Sequence, residues 1–222
     1  MVWLDLATFT APRRPLLLRP TPNIVNPRFE DIFRSHNPQR DKYLSRLFGL
    51  FNEEVVRSWC LCPESPYEDL GRPTIREAGE QRGHTLDFTF RRRSDDKVFV
   101  GEMKCELEFN GYRYLRLVSA DQVRHHTFGP AFQKFLQLAG YPSTLDVRLK
   151  GQDIKIDGAI LVWGAVEPEG RDSVMDDYGI ADVISAEEML GDMRMWRPGH
   201  WREKVEGLRD WSQELFSFLL AE

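Results

Sequence analysis

Residues 84–109 contain two apolar, alternating stretches on either side of a polar turn, and this pattern constrains the fold more than any other. It predicts an antiparallel β-hairpin whose turn is centred between Ser94 and Asp95. Positions 87 and 102 lie equally far from that centre, so the hairpin pairs Asp87 with Glu102. Lys104 follows two residues later on the same face of the second strand.

Alternation along the two strands assigns the other side chains of the hairpin to its two faces. The apolar face is expected to hold His84, Leu86, Phe88 and Phe90 from the first strand, and Phe99, Met103, Cys105 and Leu107 from the second. The three charged side chains therefore belong to the less apolar face.

The rest of the chain alternates helices with strands, which predicts an α/β fold with helices on the faces of a central sheet. The predicted elements are a helix from Asp41 to about Cys60, a short strand in 73–80, the hairpin, a helix in 119–138 broken at Gly129 and Pro130, a buried parallel strand in 154–166, and a strand feeding a helix in 178–190.

The order of these elements suggests three parts. Residues 1–40 are expected to form an arm, because residues 11–22 contain four prolines and three arginines. Residues 41–195 form the main domain, and residues 196–222 a C-terminal helix packed on the core. The apolar stripe of that helix is more typical of core packing than of a partner site; it consists of Trp201, Val205, Leu208, Trp211, Leu215 and Phe218.

Charge and cysteine content exclude several classes of protein. The net charge of −5 argues against a protein that coats nucleic acid by bulk electrostatics. Three cysteines cannot form a disulfide framework, and Cys60 and Cys62 make a weak zinc motif, so we expect reduced thiols. The chain has neither a secretory leader pattern nor an apolar run of membrane-spanning length, which predicts a cytoplasmic protein.

Two facing carboxylates repel each other and destabilise a sheet unless something compensates for their charge. A hard divalent cation is suited to this, since Mg²⁺ commonly takes one or two carboxylates and keeps waters and phosphate oxygens in its other positions. The ammonium group of Lys104 can hold or deprotonate an attacking water, or stabilise a charged phosphate.

The spacing of Asp87, fourteen intervening residues and Glu102-Met103-Lys104 resembles the PD-(D/E)XK nuclease superfamily, whose restriction-endonuclease-like fold has an αβββαβ core. The resemblance implies a mixed central sheet flanked by helices. It also implies that Asp87 and Glu102 bind Mg²⁺, for which Mn²⁺ can substitute, and that Lys104 assists the nucleophilic water. Leu86 stands where the family has proline.

The resemblance suggests two further site residues. Many members of the family add a glutamate from the first core helix, and Glu54 is the better-placed candidate because it borders the apolar face of that helix. Some members carry Q-x-x-x-Y in the next helix, where this chain has Gln122 and, in place of tyrosine, His126. Gln122 is therefore a possible accessory residue, and the polar face of an ordinary helix explains it equally well.

The D/E-x-K pattern occurs three times, at Asp95, at Glu102 and at Asp153. The first lies in the predicted turn, and the third lacks a preceding paired strand. Only the match at Glu102 has apolar strands around it and an acidic partner on the same face. An edge-strand salt bridge between Glu102 and Lys104 is the structural alternative.

Four arginines are candidates for contacts with nucleic acid, namely Arg91, Arg92, Arg93 and Arg113. Arg113 lies in a stretch that interleaves tyrosines with arginines, from Tyr112 to Arg116, which suits base stacking and backbone binding. A solvated surface, or a turn packed on the core, explains such clusters as well.

The expected function is a metal-dependent nuclease that hydrolyses phosphodiester bonds, with DNA, double-stranded or branched, as the expected substrate rather than RNA. An endonuclease of the restriction, recombination or repair type, acting as a homodimer, is the expectation by analogy. The alternative is a catalytically inactive module of the same fold that binds nucleic acid or assembles with other proteins.

Overall fold

The computed structural model describes residues 28–34, 42–107 and 114–221. The predicted arm in residues 1–40 lies outside this part, apart from residues 28–34. Tyr112 and Arg113 also lie outside the described residues.

Six α-helices and one 3₁₀ helix occur in the described part of the chain. The α-helices are α1 (Phe29–Ile32), α2 (Lys42–Cys60), α3 (Pro130–Gly140), α4 (Pro168–Tyr178), α5 (Ala186–Trp196) and α6 (Gly199–Leu219), and the 3₁₀ helix spans Ala120–His126. None of the helices among the described residues is both long and apolar enough to span a membrane.

The strands are short and form three sheets. They are β1 (Tyr67–Asp69), β2 (Thr74–Arg76), β3 (His84–Thr85), β4 (Phe88–Arg92), β5 (Val98–Met103), β6 (Arg116–Leu117), β7 (Asp146–Leu149), β8 (Gln152–Asp153), β9 (Gly158–Trp163), β10 (Ala165–Val166) and β11 (Asp182–Ser185). The main sheet has the order β1-β4-β5-β9-β11; β3-β2-β7-β8 form a second sheet, and β10 pairs with β6.

The main sheet is mixed, as expected for an α/β protein. β4 runs antiparallel to both β1 and β5, whereas β9 is parallel to both β5 and β11. Every residue of β9 is buried, because helices cover both faces of a parallel strand. This explains the unbroken apolar run that predicted the strand.

Two apolar clusters lie on the two faces of the main sheet. One combines α3, α4 and the 3₁₀ helix with Val100 and Leu161, and the other combines α2 and α5 with Phe88, Phe99 and Val162. The helices therefore form one layer on each side of the sheet.

The register of the predicted hairpin is confirmed. Phe88 pairs with Gly101 and Phe90 with Phe99, so the turn is centred between Ser94 and Asp95. The predicted apolar face is only partly correct, because Leu86 packs in the cluster opposite to Phe88 and Phe90. The chain bends at Asp87, which interrupts the alternation, and His84 belongs to the second sheet.

The short strand predicted in 73–80 is confirmed as β2, but it does not pair with the hairpin; the strand beside the hairpin is β1, which the sequence analysis missed. Residues 74–76 form β2, which pairs with β3 and β7 in the second sheet. β1 has only three residues, two of them acidic, so it carries no apolar alternation. The sequence analysis also missed α4, whose acidic sequence has little apolar periodicity, although Pro168 begins it and Gly179 ends it in a left-handed conformation.

The C-terminal helix differs most from expectation. Among its described residues, Gly199–Leu219, none is buried. Its start is attached to α2, since the rings of Trp201 and Phe51 lie 6.1 Å apart and Lys204 forms an ion pair with Glu54. Beyond Lys204 most of the predicted apolar stripe faces solvent, so the helix does not pack on the core along its length.

Candidate active site

Asp87 lies at the bend that leads into β4, opposite Glu102 of β5. The antiparallel ladder ends at Phe88 and Gly101, and Asp87 and Glu102 lie one position beyond it, in the register that the sequence predicts. The Oδ2 atom of Asp87 accepts a hydrogen bond of 3.0 Å from the backbone N–H of Met103. Asp87 is thereby held across the hairpin, with its side chain 18% exposed.

Glu102 is a buried acid with only one of its carboxylate oxygens paired. The residue is 7% exposed, and its Oε1 accepts a hydrogen bond of 2.5 Å from Nζ of Lys104. Its Oε2 is buried and has no hydrogen-bond partner among the described residues. Burial raises the pKa of Glu102 above its ordinary value, and the charge of Asp87 raises it further, whereas Lys104 opposes both effects.

Lys104 follows β5 and shares a face with Glu102. Its backbone N–H donates to the carbonyl oxygen of Val162 at 2.9 Å, which keeps the segment beside β9. Its Nζ lies 5.2 Å from the ring centroid of Phe132 in α3, close enough for a cation–π contact. The ammonium group is thus held between a carboxylate and an aromatic ring, with its side chain 22% exposed.

Arg72 is a site residue that the sequence analysis missed. Its guanidinium lies 3.5 Å from Oδ1 of Asp87, and its Nε donates to the carbonyl oxygen of Leu86 at 3.4 Å. The side chain is 51% exposed, so it can contact a ligand from solvent. It comes from the loop between β1 and β2, and no local pattern marks it.

A second pair of polar residues follows Lys104. Oε1 of Glu106 lies 3.8 Å from Nδ1 of His126, whose side chain is 8% exposed. The His126 ring packs against Phe132 and Trp163, with centroids 5.9 and 5.6 Å away. Phe132 therefore contacts both His126 and Lys104.

Glu54 does not join the two carboxylates. It forms ion pairs with Lys204 and Arg57, and the hydrogen bond from Lys204 is the main reason that its pKa is lowered. α2 packs on the face of the sheet opposite to Glu102. The carboxylate is therefore directed to α6, and the expectation that it is a third metal ligand is not supported by these contacts.

Asn52 is a buried polar residue of α2 that the sequence analysis did not consider. It is fully buried, and its Nδ2 donates to the carbonyl oxygen of Phe48 at 2.9 Å. Its Oδ1 has no hydrogen-bond partner within the described part of the chain. An asparagine within an amphipathic pattern gives a weak signal, because only the tertiary structure shows that it is buried.

Gln122 has a structural role in the fold. Its Oε1 accepts hydrogen bonds from the N–H groups of Val118 and Ser119, and its Nε2 donates to the carbonyl oxygen of Arg116 at 2.8 Å. Together with Ser119 it forms a capping box at the start of the 3₁₀ helix. These contacts support a structural role for Gln122 over a contact with phosphate.

The arginines of the predicted basic cluster point to separate partners. Arg91 pairs with Glu68, Arg92 makes two hydrogen bonds to Asp95, and Arg93 donates to the carbonyl oxygen of Cys60. Arg91 lies four residues along the strand from Asp87, or roughly 13 Å. These side chains therefore lie at the turn end of the hairpin, away from the carboxylate pair.

Arg116, the last residue of the tyrosine and arginine stretch, is also engaged within the protein. Its guanidinium forms ion pairs with three carboxylates, those of Glu30, Glu167 and Glu187. It thereby connects α1 to α5 and to Glu167, the residue that precedes α4. Tyr114 stacks at a tilt on His125, with ring centroids 5.0 Å apart.

The residues of the site fit a divalent cation with two acidic ligands. No group of three or more His, Cys, Asp or Glu among the described residues is arranged to hold a metal. Asp87 and Glu102 supply two carboxylates, a number that Mg²⁺ commonly takes from a protein. The buried Oε2 of Glu102 is an oxygen that such an ion would pair.

Comparisons of the chain with protein-family models, with curated proteins and with solved structures found no match. The assignment of a function therefore depends on the geometry of the site and on the motif that it contains.

Proposed function

We propose that this chain is a metal-dependent nuclease of the PD-(D/E)XK type, which hydrolyses phosphodiester bonds in DNA as an endonuclease. The observation that supports the proposal best is the burial of Glu102 and the pairing of only one of its carboxylate oxygens. This acid is buried beside Asp87, its Oε1 is paired with Lys104, and its Oε2 has no hydrogen-bond partner among the described residues. Such an arrangement costs stability, so a cation-binding role explains why the chain has it.

The order of the elements supports a restriction-endonuclease-like core. Along the chain, α2, β1, β4, β5, α3 and β9 follow one another in the αβββαβ order that the resemblance implies, with additional strands between them. The hairpin occupies the middle of the main sheet, where β5 is parallel to β9. The Glu102 end of β5 is therefore supported on both sides.

Asp87 and Glu102 would hold the metal ion. Bound there, Mg²⁺ supplies positive charge to phosphate oxygens and lowers the pKa of a bound water. Asp87 is oriented for this by the N–H of Met103, and Glu102 by Lys104 and by burial. Both acids are thus preorganised before a substrate arrives.

Lys104 is assigned to the attacking water, and Arg72 to the phosphate. Lys104 lies on the face of Glu102 with its ammonium group confined by Phe132, so it can orient the attacking water and stabilise charge on the phosphate. The half-exposed Arg72 is within reach of Asp87 and can bind a phosphate oxygen through two N–H groups. We propose that it positions the scissile phosphate.

An inactive module that binds nucleic acid or assembles with other proteins is the second candidate. The contacts of Glu54 and Gln122 within the protein favour it, because they leave only two acids at the site. The complete set of Asp87, Glu102 and Lys104 favours the nuclease, since a module without chemistry gains nothing from two repelling carboxylates.

A plasmid-nicking assay with and without Mg²⁺ or Mn²⁺ separates the two candidates. The natural protein is expected to nick only with metal, and Glu102→Ala and Lys104→Ala are expected to abolish nicking. Asp153→Ala is the matched control, because Asp153 begins another D/E-x-K match. Contrary to expectation this match does have a preceding paired strand, β7, but Asp153 lies opposite Arg148 there and not opposite an acid. Equal activity in all four proteins would contradict the nuclease assignment.

A further inference from the structure

The turn between β7 and β8 presents a lysine in a backbone conformation that lysine rarely adopts. Lys150 has a φ of 52° and Gly151 a φ of 83°, and together they form a two-residue hairpin turn between Leu149 and Gln152. Asn-Gly and Asp-Gly are the usual sequences of such a turn, because asparagine and aspartate tolerate the left-handed region better than lysine does. Lysine therefore has a conformational cost here, and strain of this kind is found most often where a side chain has a function.

The second sheet brings Lys150 to the loop that contains Arg72. β2 pairs antiparallel with β7, and their register, continued two positions beyond the last pair, places Arg72 opposite Lys150. The contact is close, since a Cβ atom built on Gly71 would lie 3.9 Å from Cε of Lys150. The charged end of Lys150 therefore lies beside Gly71, next to the arginine that reaches Asp87.

The ammonium group of Lys150 is not neutralised within the protein. Lys150 is exposed, and none of the described residues forms an ion pair with it. Its neighbour in the pairing of β7 with β8, Arg148, is paired with Asp153 instead. Asp69 is nearby, but its Oδ1 accepts the N–H of Gly71 at 2.9 Å, and its pKa is raised mainly by burial, with Lys150 among the weaker opposing influences. Lys150 can therefore bind an anion from solvent.

Like charges that face each other at the end of a strand pair destabilise it. Arg72 has Asp87 at 3.5 Å, whereas Lys150 has no carboxylate at ion-pair distance among the described residues. A phosphate oxygen bound by both side chains would relieve the repulsion between them. The strained backbone of Lys150 and its position opposite Arg72 are thus two costs that a single kind of ligand, a phosphate backbone, explains.

The surface around these two cations suits duplex DNA better than a single strand. Proteins that bind single strands stack the bases on aromatic side chains. Residues 69–76 and 145–157 contain no aromatic residue. Each strand of a duplex has one phosphate for about 3.4 Å of helix axis, so Arg72 and Lys150 can contact neighbouring phosphates.

We propose that the β7–β8 turn is a substrate-binding element, in which Lys150 holds the phosphate backbone of duplex DNA beside the phosphate that Arg72 binds. This inference rests on the proposed function, because it assigns the surface that holds the substrate of that site. The contact is made to phosphate and therefore carries no sequence information. The second sheet, whose strands are additional to the αβββαβ core, thereby serves to bind substrate.

Fluorescence anisotropy of a short labelled duplex, measured with the full chain in EDTA so that no metal-dependent cleavage occurs, tests the proposal. Lys150→Asn removes the charge but suits the left-handed turn better, so in urea unfolding it is expected to be at least as stable as the natural protein. It is expected to bind the duplex about five- to tenfold more weakly at ~0.1 M salt. The slope of log affinity against log salt should also be shallower by about 0.9. Lys150→Arg should keep both the affinity and the slope.

Lys155→Asn is the matched control. Lys155 is an exposed lysine near Leu145 at the other end of the same hairpin, roughly 13 Å of strand from Gly151. Its replacement should leave the affinity and the slope unchanged. Natural affinity in Lys150→Asn, an equal loss in Lys155→Asn, or no binding of the duplex by the natural protein at low salt would overturn the proposal. Tighter binding of a single strand than of the duplex would overturn the assigned partner.

The plasmid-nicking assay distinguishes failure of this inference from failure of the proposed function. A protein that binds the duplex through Lys150 but never nicks with Mg²⁺ or Mn²⁺ would keep the binding surface and contradict the nuclease. A protein that nicks with metal, while Lys150→Asn binds the duplex as the natural protein does, would keep the nuclease and overturn the role of the β7–β8 turn.

Discussion

The carboxylate of Asp87 accepts the backbone N–H of Met103 at 3.0 Å, so an acid at the start of β4 is anchored on β5. This hydrogen bond crosses the hairpin at the position where Glu102 is buried. It keeps the two carboxylates close although they repel each other. The geometry of the site is therefore set by the backbone of β5.

Replacement of Asp87 by asparagine removes the negative charge but keeps an oxygen that can accept the hydrogen bond. In Asp87→Asn the amide oxygen can still accept the N–H of Met103, so we expect the fold to be kept. The loss of one of two negative ligands should abolish stabilisation by Mn²⁺ and metal-dependent nicking. Thermal unfolding with and without Mn²⁺ measures the first effect, and a variant that is stabilised as much as the natural protein would contradict it.

Glu102 is predicted to lower the stability of the metal-free protein. Because its pKa is raised, the folded state keeps a proton that the unfolded state releases, and stability falls as the pH rises through the raised pKa. Glu102→Gln should therefore be more stable than the natural protein above that pH, and the difference should shrink as the pH falls towards the ordinary pKa of glutamate. Urea unfolding at several pH values measures this.

Bound metal should make the natural protein more stable than Glu102→Gln, the reverse of the order expected without metal. At a concentration one hundred times its dissociation constant, a ligand of the folded state adds about 2.7 kcal/mol. We expect Mg²⁺ or Mn²⁺ to stabilise the natural protein and not Glu102→Gln. An equal response of both proteins would mean that the ion binds elsewhere.

Lys104 is predicted to act in the chemical step. Lys104→Met keeps an apolar stem against Phe132 but lacks the ammonium group, so the rate of nicking should fall roughly 10²–10⁴-fold. Binding of Mn²⁺ should persist, because Lys104 is not a ligand. Lys97→Met, in the turn of the same hairpin, is the control and should retain full activity.

Arg72 is predicted to bind the substrate. Arg72→Gln should raise the KM for DNA about tenfold, the value of one charge-assisted contact of about 1.4 kcal/mol. It should also tighten metal binding, since Asp87 no longer shares its charge with a guanidinium. Arg148→Gln removes an arginine paired with Asp153 instead and should change neither constant. An unchanged KM for Arg72→Gln would contradict the assigned role.

Gln122 is predicted to stabilise the fold without taking part in cleavage. Gln122→Ala removes side-chain hydrogen bonds to three backbone groups and should lower the free energy of unfolding by about 1–3 kcal/mol. The folded variant should nick plasmid at the natural rate. A loss of activity at a temperature where the variant is fully folded would show that Gln122 belongs to the site after all.

Short-range patterns determined a large part of this protein. A period of two with a polar centre was sufficient for the register of the hairpin, and hence for placing Asp87 and Glu102 one position beyond its last residue pair. Helical periodicity located α2 and α6, and an unbroken apolar run located β9. Each of these features depends on neighbours within about twenty residues, which a sequence displays directly.

The tertiary structure decided which partners the polar side chains found. Glu54 pairs with Lys204, which is 150 residues away, and Arg72 reaches Asp87 from the loop that connects β1 to β2. The apolar stripe of α6 is typical of core packing in the sequence, but the folded chain leaves most of it exposed. Contacts between distant segments depend on how the layers pack, and no local pattern encodes them. The hairpin pattern therefore predicted the positions of Asp87 and Glu102, but not the side chains around them that control their charge.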